Sequence, residues 1–108
     1  MKREEVLELY RNVIAKNSNF ELKGKSMPYT SANGHMFSQL NKDGELGIRL
    51  SKTDTSAFDT KYGAKPFTSY GAVMKEYVLV PEVLFTEPDT LGFYLQKGYE
   101  YVMSLPPK

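Results

Sequence analysis

The chain contains no cysteine and no tryptophan, and it has a single histidine, His35. Without thiols it can form neither a disulfide nor a thiolate metal site, and one imidazole is too few for an ordinary zinc centre. Small secreted domains commonly lean on disulfides, so their absence favours a reducing cytoplasm. No run of 18 apolar residues exists to span a membrane. The start, Met1-Lys2-Arg3-Glu4-Glu5, lacks the uniform apolar stretch that makes a secretory signal. An excess of one charge is missing too. Fourteen Lys and Arg against 13 Asp and Glu leave a net charge of +1, unlike a protein held on DNA by bulk electrostatics.

Catalytic signatures are equally scarce. There is no G-x-S-x-G elbow, no G-x-x-x-x-G-K-[ST] phosphate loop and no G-x-G-x-x-G fingerprint. His35 is available to a serine triad, but no serine sits in such an elbow. Glu4, Glu5, Glu82 and Glu87 fall near expected helix ends, where acids complement the dipole. The remaining acids are scattered. No catalytic residue, metal ligand or cofactor site is therefore expected.

What is present describes one α+β domain over residues 1–108. That length is typical of a single domain and buries roughly 65% of the unfolded surface. The 41% hydrophobic and 25% charged composition is ordinary for a globule. Val6, Leu9, Tyr10, Val13 and Ile14 recur at helical spacing, predicting an amphipathic helix from Arg3 to about Lys16. Asn17-Ser18-Asn19 stops it.

A meander should follow. Its strands are Met27–Ser31, His35–Asn41 and Glu45–Ser51, with Asn33-Gly34 and Asp43-Gly44 as tight type I′ turns. Lys52-Thr53-Asp54-Thr55 offers caps for a short helix to Tyr62, which Gly63 ends. Pro66–Tyr70 and Val73–Val80 read as two more strands around a turn at Gly71. Glu76 interrupts the apolar face of the second. After a helical turn at Glu82–Phe85, Thr86 and Asp89 resemble a capping box for a final helix to about Ser104. Its core stripe is Leu91, Tyr94, Leu95, Gly98, Tyr101 and Val102. Gly98 is expected where that helix approaches the sheet closely. The order is α-β-β-β-α-β-β-α: two layers, an antiparallel sheet of about five strands, and helices on one face.

Eight tyrosines and six phenylalanines stand out. Most belong to core and rim packing. Phe93 falls on the polar side of the last helix with Gln96, Lys97 and Glu100, and Met103 also strays from its stripe. Together they suggest a protein contact. The candidate interaction surface is Phe93, Met103, Tyr29, His35, Arg49 and Lys75.

Three readings of function are open. The first is a cytoplasmic, non-enzymatic interaction or regulatory domain acting as a homodimer. The second is a nucleic-acid accessory protein using Lys61, Lys65, Lys75 and exposed tyrosines. The third is a small-molecule binder or enzyme in which Tyr29, His35, Arg49 and Glu76 converge on an open sheet face.

Several short motifs carry a family resemblance. Lys25-Ser26-Met27-Pro28-Tyr29 and Asn33-Gly34-His35-Met36-Phe37-Ser38 resemble the opening hairpin of the TfoX/Sxy N-terminal domain. Gly47-Ile48-Arg49-Leu50 resembles its third strand. Tyr70-Gly71-Ala72-Val73-Met74-Lys75-Glu76-Tyr77-Val78, then Val80-Pro81, resembles its strand-to-helix segment. Tyr99-Glu100-Tyr101-Val102 and Ser104-Leu105-Pro106-Pro107-Lys108 resemble the closing helix of a stand-alone subgroup. The likeness covers roughly residues 24–108, in the family's order. Met27-Pro28-Tyr29 stands where the regulators carry Met-Phe-Gly-Gly. The resemblance implies a secretion-chaperone-like α+β domain, often dimeric, related to activators of bacterial natural competence. It implies no catalytic residues.

Overall fold

A computed structural model describes residues 1–108. The elements are α1 (Arg3–Ala15), β1 (Tyr29–Ala32), β2 (His35–Leu40), β3 (Leu46–Arg49), α2 (Lys52–Tyr62), β4 (Pro66–Ser69), β5 (Ala72–Leu79), a 3₁₀ turn (Glu82–Thr86) and α3 (Pro88–Ser104). All strand pairs are antiparallel and the sheet order is β1-β2-β3-β5-β4. The expected α+β class and element order are therefore present. No helix is long and apolar enough to cross a membrane.

The first face of the sheet holds the main core. Leu40, Leu46, Ile48, Leu50, Val78 and Val80 pack against Val6, Tyr10, Val13 and Ile14 of α1, Phe58 of α2 and Leu91 and Leu95 of α3. The helical periodicities of α1 and α3 put these side chains on one stripe of each, which is why both settle on the same face, while α2 adds Phe58 alone. A Cβ at Gly98 would sit 2.9 Å from the Arg49 carbonyl oxygen and 3.1 Å from Ile48 Cγ2, so glycine is what lets α3 lie this close to β3.

The hairpin Asn33-Gly34 has positive φ at both residues, 57° and 81°, as a type I′ turn requires. Asn33 does more than turn the chain. Its Nδ2 donates to the carbonyls of Val102 and Leu105 at 2.9 and 2.8 Å, tying the hairpin to the end of α3, where Val102 O also accepts from Leu105 N–H.

Local details depart from the sequence expectations. The first strand begins at Tyr29 rather than Met27. Asp43-Gly44 is not a two-residue type I′ turn, since only Gly44 has positive φ. The buried side chain of Asn41 organises it instead, its Oδ1 accepting from the backbone N–H of Asp43 and Glu45. Helix α2 is capped one residue earlier than expected, by Ser51 Oγ accepting from Asp54 N–H at 3.1 Å. Thr86 and Asp89 make no capping box. Glu87, not Thr86, stands at the N-cap of α3 and its side chain makes no cap bond, while the Thr86 hydroxyl donates to Val83 O at 2.7 Å within the preceding 3₁₀ turn.

Strand β5 is not a simple alternating strand. Pro66 pairs with Val78 but Thr68 pairs with Val73, so Phe67 alone opposes Met74 to Tyr77. Glu76 within this bulge has φ +71°, a conformation that costs a side-chain-bearing residue energy. The bulge bends the β4–β5 ribbon back over the second face of the sheet. Asn41 Nδ2 donates to Thr68 O at 2.8 Å, although β3 and β5 lie between β2 and β4 in sheet order. Flat strands would hold those two roughly 14 Å apart.

Candidate functional site

Beneath that ribbon the second face is covered, not open. Phe67 is fully buried and stacks on Tyr77 at 5.8 Å between ring centroids. Its ring fills the place a side chain at Gly47 would occupy. Gln39, also fully buried, donates from Nε2 to the Tyr70 hydroxyl at 2.8 Å. Tyr77 donates its hydroxyl to Met36 O at 2.8 Å; burial pushes its ionisation well above that of a free phenol. Two buried atoms here, Gln39 Oε1 and Ser69 Oγ, have no hydrogen-bond partner.

The residues expected to converge do so only in part. Arg49, at the end of β3, donates from Nε and from an η nitrogen to Glu76 Oε1, at 3.1 and 2.6 Å. Tyr101 of α3 donates its hydroxyl to Glu76 Oε2. The Arg49 guanidinium also lies over the Tyr101 ring, 5.5 Å from its centroid. Partial burial pushes the Glu76 carboxyl up, but the hydrogen bonds from Tyr101 and Arg49, with the charges of Arg49 and Lys75, outweigh it and hold the group below the usual carboxylate range. The Tyr101 hydroxyl is raised, first by its hydrogen bond to Glu76. Both oxygens of Glu76 are thus engaged. Lys75 projects from the same bulge and is exposed. A shallow cavity of about 440 Å³ beside it is lined by Leu50, Lys52, Thr55 and Ser56.

Tyr29 and His35 lie elsewhere. They stand at opposite ends of the β1–β2 hairpin, with the Tyr29 ring against Gly24. His35 donates from Nε2 to Pro106 O at 2.9 Å, which ties the C-terminal segment to the hairpin. No group of three or more His, Asp or Glu side chains is close enough to hold a metal ion.

Phe93 and Met103 are both about half exposed, at 54% and 48%. They do not form one patch: ten residues of helix separate them, about 15 Å along the axis. Phe93 sits edge-on to Tyr94 and beneath Lys97 Nζ. The most exposed large apolar side chains are instead Tyr70 and Val73, at 69% and 65%, on the β4–β5 turn. Sequence reasoning missed this pair. Tyr70 and Gly71 both have positive φ, 55° and 75°, and a tyrosine in that backbone region carries no sequence signal. Tyr101 as the partner of Glu76 was missed as well, because its helical spacing placed it among core residues.

No protein-family model matches the chain, and no curated protein matches it.

Proposed function

We propose that this chain is a non-enzymatic protein-interaction domain with a regulatory role, working as a homodimer in a reducing cytoplasm. The observation that carries this reading is the β4–β5 tip. Tyr70 and Val73 are the two large apolar residues most open to solvent. Tyr70 is held in place by its bond from Gln39, so ordering it on contact loses little entropy. Tyrosine suits such a contact because it joins a large apolar ring to a polar tip. The ionisable groups that come together are engaged with one another: Arg49, Glu76 and Tyr101 join the end of β3, the β5 bulge and α3. That is the work of a brace, and it supports binding over catalysis. The short motifs that resemble the TfoX/Sxy N-terminal domain support the regulatory and dimeric parts of the reading.

Sedimentation from low micromolar to about 1 mM protein tests it. A concentration-dependent dimer is expected, weakened about tenfold or more by Tyr70→Ser with Val73→Thr. A wild-type monomer throughout that range would overturn the homodimer.

A further inference from the structure

We propose that residues 67–75 of the β4–β5 ribbon form a hinged strap, which lifts off the second face of the sheet as a unit while the helix-covered core stays closed. Three features place the hinge. The ladder between β4 and β5 is interrupted: beyond Pro66 and Val78 only Thr68–Val73 and Ser69–Ala72 pair, so the outer ribbon is joined to the body through the bulge. Glu76, at the end of that bulge, holds a left-handed φ of +71°. Such a residue keeps its conformation only while its surroundings impose it, here through Arg49 and Tyr101. Below the hinge the chain is anchored, with Leu79 N–H donating to Lys65 O at 2.9 Å and Leu50 N–H to Glu76 O at 3.0 Å.

The latch consists of few parts. Asn41 bonds to the Thr68 carbonyl, Gln39 bonds to the Tyr70 hydroxyl, and the Phe67 ring occupies the notch over Gly47. Closing the strap also buries Gln39 Oε1 and Ser69 Oγ without partners, and both would regain water on opening. Lifted, the strap uncovers Gln39, Tyr77 and a notch shaped for an aromatic ring, with the Phe67 ring released from it. Phe67 is thus a self-supplied occupant of the notch over Gly47. This inference stands whether or not the Tyr70–Val73 tip meets a second copy.

Native-state amide exchange tests it on the unmodified chain. The protected amides among residues 67–75 are expected to exchange through one shared opening, at least about tenfold more often than those of β2 and β3. Tyr70→Phe removes one latch bond on an exposed side chain and should speed only the strap amides, by roughly three- to tenfold. Gly47→Ala, whose methyl would displace Phe67, should strip protection from the strap and leave β2 and β3 protected. Exchange of the strap only together with β2 and β3 in the wild type, or equal acceleration of both by Tyr70→Phe, would overturn the inference. Should Gly47→Ala not fold, those two measurements decide the matter.

Discussion

The two faces of the sheet are built from the same five strands yet differ in kind. On the helix side, aliphatic side chains from every layer meet in register, and the one buried polar cluster there is complete: Tyr10 Oη and Ser38 Oγ lie 2.5 Å apart, and Ser38 Oγ is also bonded to Thr30 Oγ1. On the other side, a bent ribbon lays the Phe67 ring over Gly47, stacked on Tyr77, and leaves two buried polar atoms unpaired. The first face is what a stable core looks like; the second is a cover that closes with less to hold it. A difference of this sort places stability on one side of a small domain and leaves the other for movement and contact.

Four substitutions break or sharpen that contrast. Leu95→Ala in the main core should cost about 2–5 kcal/mol in denaturant unfolding, with β1–β5 lost together. Gly47→Ala on the second face should cost less, about 1–3 kcal/mol, because the ribbon can yield where α3 cannot. Tyr10→Phe should lose about 1 kcal/mol, since Ser38 retains Thr30 as partner; a negligible loss would mean the hydroxyl contributes nothing to the helix-side core. Glu76→Gln should cost still less at neutral pH, as the site is partly open to solvent.

The same position gives a pH test with a definite sign. Because the Glu76 carboxyl is depressed in the folded state, the unfolded chain binds the proton first as pH falls. The stabilisation is complete above the ordinary carboxylate range and is lost as pH drops through the lower folded value. Acid titration of unfolding free energy should therefore fall less steeply for Glu76→Gln than for the wild type. Identical slopes would show that Arg49 and Tyr101 do not favour the charged form.

Much of the architecture was legible because it rests on periodicity and turn chemistry. The stripe Val6, Tyr10, Val13, Ile14, the Asn33-Gly34 turn and the close approach at Gly98 follow from side-chain direction and from what a missing Cβ allows. The candidate site was less legible. Arg49 and Glu76 are both among the residues expected to converge, but Tyr29 and His35 stand with them only if the sheet face is open. In the strand pattern itself Glu76 is only an interruption of an apolar face. Its meaning, a left-handed residue in a bulge, depends on partners 27 and 25 residues away, which no local pattern encodes.

By itself the sequence determined the element order, the helix-facing core and the Asn33-Gly34 turn, because each is set by contacts within a few residues or by burial that repeats along one element. Only the tertiary structure decided that β4 and β5 fold back over Gly47, that Glu76 is gripped from β3 and α3, and that Tyr70 and Val73 stand out at the tip. These depend on long-range packing and on one bulge, where a local backbone penalty is offset by hydrogen bonds from distant parts of the chain.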